Sequence, residues 1–147
     1  MPDLNRNSAL DIFLSTLIAH VRDGVYRDLK SLLTQGPPGQ KPASDLVGLH
    51  EWFQRLSEND RIVVYQVIQA AIDSALFSAL VILDGAAGGY PVKGVVSDYA
   101  LYIQTYKSEN EQATDQPATK VRLNPRGMTE DMHDAFQWKI EEHTTTQ

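Results

Sequence analysis

The chain has no cysteine, and that one absence removes disulfides, thiolate metal ligands and cysteine nucleophiles together. It fits a reducing compartment, and a cytoplasmic protein is the expectation. The first residues, Met1-Pro2-Asp3-Leu4-Asn5-Arg6, hold no basic stretch leading into an apolar run, so a secretory signal is not expected. Hydrolase signatures are missing too: G-x-S-x-G, S-x-x-K and H-E-x-x-H do not occur, and the four histidines include no i, i+3 or i, i+4 pair. Basic charge is scarce, with 13 Lys and Arg against 19 Asp and Glu for a net charge of −6, and residues 108–147 alone carry −4. A nucleic-acid backbone needs clustered cations to displace its counterions and is not an expected partner; a basic protein is electrostatically compatible.

What is present is enough for one core. A length of 147 residues with 42 % apolar content suits a single globular domain over 1–147. The dominant feature is the apolar segment from Asp60 to Gly85, DRIVVYQVIQAAIDSALFSALVILDG. It approaches the length of a membrane span, but Gln66, Gln69, Asp73, Ser74 and Ser78 interrupt it, and a mid-span Asp costs roughly 2.5–3.5 kcal/mol on insertion scales. The expectation is therefore no membrane and a central buried helix, about 58–84, capped by Ser57 and stopped by Gly85.

Around it the pattern predicts an α+β, predominantly helical fold of about five helices. Asn7 or Ser8 can cap a helix to about Arg22 whose Ile12, Phe13, Thr16, Leu17, Ala19 and His20 recur at helical spacing, with Gly24 as its kink or end. A second helix runs from Val25 to Thr34 and stops at a Pro/Gly loop, 35–43. Ser44 or Asp45 can cap a third, with Leu46, Leu49, Trp52, Phe53 and Leu56 as its apolar stripe. One β-hairpin, about 95–106 and 119–124, is expected before the last helix, with a mobile polar loop over 107–117 at its tip. Whether 95–106 is strand or helix is open, since Tyr99, Tyr102, Ile103 and Tyr106 also fit a helical spacing. The last helix, capped by Thr129, carries Met132, Phe136 and Ile140 inward, and the tail 143–147 is expected to fray.

The candidate functional residues are few. Asp73 continues a polar line through Gln66 and Gln69 along one helix face. A solvent-facing stripe is the favoured explanation; a buried seam matched by a basic group from another helix or a second subunit is the sharper one. Asp84 stands at a helix carboxyl end, where negative charge is disfavoured. Lys93 or Arg126 can compensate it, or it can serve a binding role with Tyr90 in the glycine-rich loop. Gly85-Ala86-Ala87-Gly88-Gly89 follows a helix end of the wrong polarity for a phosphate loop. Alternation puts Tyr102, Gln104 and Tyr106 on the outer face of the hairpin, with Lys120 and Arg122 across from them, residue types that dominate binding hot spots. Glu130 and His133 place a carboxylate and an imidazole three apart, but a di-iron site needs a second such copy and further glutamates, so no metal and no cofactor is expected.

These readings predict a non-catalytic, acidic protein-interaction module, such as a stoichiometric inhibitor or immunity-type binder of another protein. The alternatives are a small carboxylate- or metal-dependent enzyme using Asp73, Asp84, His50 or Glu130, and a structural homodimer formed through the open edges of the hairpin.

Overall fold

The computed structural model describes residues 5–84, 100–109, 112–124 and 131–145. Among them the fold is mostly helical with one antiparallel hairpin. The elements are α1 (Arg6–Thr16), a π-helical segment (Leu17–Arg22), α2 (Asp23–Gln35), α3 (Ser44–Gln54), α4 (Glu58–Leu83), β1 (Tyr102–Glu109), β2 (Gln112–Arg122) and α5 (Met132–Thr145). Because α1, the π segment and α2 run without a break, the described residues form four helical runs, where five helices are expected from the sequence. The chain divides into two compact units, residues 17–76 and residues 1–16 with 77–147.

In the first of these, α2, α3 and the amino-terminal part of α4 surround Ile18, Leu33 and Phe53, the buried apolar side chains of that unit. Gly24, expected to kink or end the first helix, lies buried inside α2. The departure from α-helical geometry comes just before it, in the π segment. Helix α2 ends at Gly36, whose φ of 90° suits a residue without Cβ. The orphan carbonyls of this end are taken up from α3: Gln54 Nε2 donates to Leu33 O at 3.0 Å and Thr34 O at 3.3 Å, and His50 Nδ1 donates to Leu33 O at 2.9 Å. His50 is thus a clamp on a helix end.

Helix α4 begins as the sequence implies. Ser57 Oγ accepts from the Asp60 amide at 3.2 Å and donates to the Asp60 carboxylate at 2.6 Å, a reciprocal cap. Its burial is the main correction: in a helix of 26 residues only Leu80 is buried. The expected stripe of α3 is likewise outside, with Leu46, Leu49 and Trp52 exposed and Phe53 alone buried.

The second unit holds the denser core: Ala9, Leu10 and Leu14 of α1, Leu80 of α4, Leu123 after β2, and Met132, Phe136 and Ile140 of α5. The inner face of α1 is therefore the Leu10–Leu14 line, and Ile12 is exposed. Its cap is Asn5, whose side chain accepts from the Ser8 amide at 2.9 Å, and not Asn7 or Ser8. Helix α5 buries the stripe expected of it and continues to Thr145, beyond the expected fraying point. Strand β1 pairs with β2 in the register Tyr102↔Arg122, Gln104↔Lys120 and Tyr106↔Pro117, with irregularities on either side of Tyr106. The polar stretch 107–117, expected as a loop, is strand to Glu109 and again from Gln112. The sequence over this stretch has no apolar alternation to announce a strand, and its backbone pairs all the same, Ser108 with Ala113 and Glu109 with Gln112. Residues 95–99 of the expected first strand and the expected cap Thr129 lie outside the described residues.

Candidate functional site

Asp73 is half-buried and paired. Arg22 Nε donates to its Oδ1 at 2.6 Å and Arg22 Nη2 to its Oδ2 at 3.1 Å, a bidentate fork. Arg22 closes the π segment and is only 4 % exposed. Its Nη1 also donates to Asp23 at 3.1 Å. The hydrogen bond to Asp73 is the main reason the guanidinium pKa stands above its ordinary value, against the opposing effect of burial. The favoured sequence explanation fails because it overlooked a cation 51 residues away, on a helix face that apolar periodicity does not mark.

Asp84 resolves the puzzle of a carboxylate at a helix carboxyl end. Its side chain is 3 % exposed, and Oδ2 accepts from the backbone amide of His133 at 3.0 Å and from His133 Nδ1 at 2.9 Å. His133 is the second residue of α5. Asp84 therefore meets the positive end of α5 while following the negative end of α4, so one helix offsets what the other imposes. The Phe77 ring meets the imidazole edge-on at 5.3 Å. The partner is His133, not Lys93 or Arg126; those two residues and Tyr90 lie outside the described residues. Asn124 completes the junction, donating from Nδ2 to Leu83 O and accepting the Leu101 amide at 2.8 Å.

On the hairpin, Tyr102, Gln104 and Tyr106 are exposed together on one face. Lys120 Nζ stands 4.2 Å from the Tyr102 ring centroid, and the Tyr106 hydroxyl donates to Gln104 at 2.8 Å. Arg122, opposite Tyr102 in the register, is half-buried.

Two arrangements were not read from the sequence. A groove of about 260 Å³ runs between α1 and α5, lined by Asn7, Leu10, Asp11 and Leu14 on one side and Ala135, Trp138, Lys139 and Glu142 on the other. Trp138 is 64 % exposed there, and Lys139 pairs with Asp11. Trp138 sits next to none of the apolar positions that define the inner stripe of α5, which was the available signal: a large aromatic on the polar side. Among the described residues, Asp131, His133 and Asp134 also bring three metal-capable groups within 4.8 Å of one another. Glu130, the carboxylate singled out by spacing, lies outside the described residues.

No protein-family model, curated protein or solved structure matches this chain.

Proposed function

We propose that the protein is a non-catalytic interaction module that receives a segment of another protein in the groove between α1 and α5. The observation that carries this reading is Trp138, 64 % exposed on the wall of a groove that Leu10 and Leu14 also line. An exposed tryptophan beside an apolar lining is the residue type around which binding energy concentrates. The net charge of −6 favours a segment that offers basic and apolar side chains together. A stoichiometric inhibitor or immunity-type role is one form of such binding. Asp73 and Asp84, central to an enzymatic reading, are both engaged in internal pairs, which favours binding over catalysis. The hairpin face of Tyr102, Gln104, Tyr106 and Arg122 is a second place for contacts. Selection of a displayed peptide library on the full chain, with counter-selection on Trp138→Ala, tests the groove. Peptides rich in Lys or Arg around an apolar residue, weakened at high salt and lost with the variant, are expected. Recovery of no binder, or of peptides that bind the variant equally, refutes it.

A metal-dependent reading has one observation in its favour, the Asp131, His133 and Asp134 group. Asp84 accepts from His133 Nδ1 as an outer carboxylate does from a metal-bound imidazole. Calorimetric titration with Zn²⁺ distinguishes it: stoichiometric binding lost in His133→Ala supports a metal site, and no binding by the native chain removes it.

A further inference from the structure

The bond between His133 Nδ1 and Asp84 fixes more than the position of the ring. Asp84 Oδ2 accepts twice, from that nitrogen at 2.9 Å and from the His133 amide at 3.0 Å, so it has nothing to donate. Nδ1 therefore carries the hydrogen, and in the neutral ring Nε2 is left with a bare lone pair. That lone pair is held in place, because the Asp84 side chain is 3 % exposed and the Phe77 ring meets the imidazole at 90°. What faces it is another acceptor: Asp134 Oδ1 lies 3.7 Å from Nε2.

A proton does not resolve this meeting of acceptors. On Nε2 it would have to reach Asp134 across 3.7 Å, beyond the roughly 2.7–3.2 Å of an N–H···O hydrogen bond, and it would leave Asp131 unserved. Asp131 is half-buried just ahead of α5, and among the described residues its carboxylate has no hydrogen-bond or ion-pair partner. A divalent ion serves all three groups. Bonds of about 2.1 Å to nitrogen and oxygen subtend an angle of about 120° for ligand atoms 3.7 Å apart. The Asp131 oxygen lies within 4.8 Å of both, no more than about 0.6 Å beyond what two such bonds span. Among the described residues no lysine or arginine pairs with Asp84, Asp131 or Asp134, so three carboxylates outweigh the positive end of α5.

We propose that Asp131, His133 Nε2 and Asp134 hold a first-row transition ion of the Zn²⁺ class, with Asp84 as the positioning residue that turns the imidazole nitrogen toward it. The proposal rests on the metal-binding reading above and adds which nitrogen ligates, which residue orients it and which ions are taken. One imidazole and two carboxylates suit Zn²⁺, Co²⁺ or Mn²⁺, whereas Mg²⁺ and Ca²⁺ take oxygen ligands in larger number. Three protein ligands leave a tetrahedral ion one position for water. Such an ion ties Asp131, ahead of the helix, to the first turn of α5.

The full chain, freed of metal by chelation, is titrated with Zn²⁺ by calorimetry and followed by ¹⁵N spectra of its imidazoles, His133 being assigned from the signal lost in His133→Gln. One Zn²⁺ per chain is expected, with the Nε2 signal moving, Nδ1 keeping its proton, and millimolar Mg²⁺ or Ca²⁺ failing to compete. Asp134→Asn, at a side chain 59 % exposed, is expected to weaken Zn²⁺ binding at least about 10-fold with unchanged helical circular dichroism. Asp84→Asn is expected to weaken it about 10–100-fold and to divide the His133 ring between its two tautomers. If Asp84→Asn fails to fold, the native spectra and Asp134→Asn still decide. No Zn²⁺ binding by the native chain removes the metal reading and the proposal with it. Binding through Nδ1, binding indifferent to either Asp variant, or displacement by Mg²⁺ or Ca²⁺ leaves a metal site standing but overturns this proposal.

Discussion

Helices α4 and α5 invert the rule that apolar composition decides burial. Helix α4 is apolar nearly all round and buries Leu80 alone, whereas α5 is largely polar and buries Met132, Phe136 and Ile140. The difference is one of phase. In α5 the apolar positions recur every four residues and leave the rest to water, so one orientation is better than any other. In α4 no orientation is singled out by composition, and a specific polar contact, Asp73 with Arg22, selects the face that turns inward. A uniform apolar surface gives a helix the drive to be covered without saying where; a single charge can then say it.

The comparison can be broken at several points. The largest effect is expected in α5: Phe136→Ala, at a fully buried site, should cost about 3–5 kcal/mol in a urea melt. In α4, Asp73→Ala takes from a buried guanidinium its bidentate partner and leaves it Asp23 alone, and should cost about 2–4 kcal/mol, moderated by the partial exposure of the carboxylate. A loss below about 0.5 kcal/mol would show that the pair does not orient the helix. Asp84→Asn should cost about 1–2 kcal/mol by weakening its two bonds to His133 at the start of α5. Gly24→Ala has the opposite sign. The added methyl meets nothing closer than 3.9 Å, so a gain of about 0.5–1 kcal/mol in thermal or urea unfolding is expected. Smallest of all is Val67→Ala, at 61 % exposure, which should shift the stability of the dilute single chain by less than about 0.5 kcal/mol.

The sequence was legible where local chemistry is sufficient. The Ser57 cap and the inner stripe of α5 depend on residues three or four apart, and both are found as read. In α1 two apolar lines overlap, Leu10–Leu14 and Ile12–Phe13–Leu17, and only packing against α5 chooses between them. The hairpin is longer than its sequence pattern suggests because residues 107–117 carry no alternation, while the backbone pairs as far as Glu109 with Gln112. Asp73 and Asp84 stand out in the sequence by position, but their partners lie 51 and 49 residues away. Nearness in sequence pointed instead to Lys93 and Arg126. Trp138 escaped notice because a lone aromatic on a polar face leaves no periodic trace.

The π segment from Leu17 to Arg22 has a genetic consequence. A π turn is an α-helix carrying a surplus residue, and removing that residue restores ordinary winding. Each position past the deletion then turns by about 100° relative to those before it. Ile18 and Leu33, which now face one core, would lose their alignment, and Arg22 would swing away from Asp73. Substitutions at the exposed positions Ala19, His20 and Val21 should therefore be tolerated far better than the loss or gain of one codon, which makes this short stretch a frame of reference for the helix that follows.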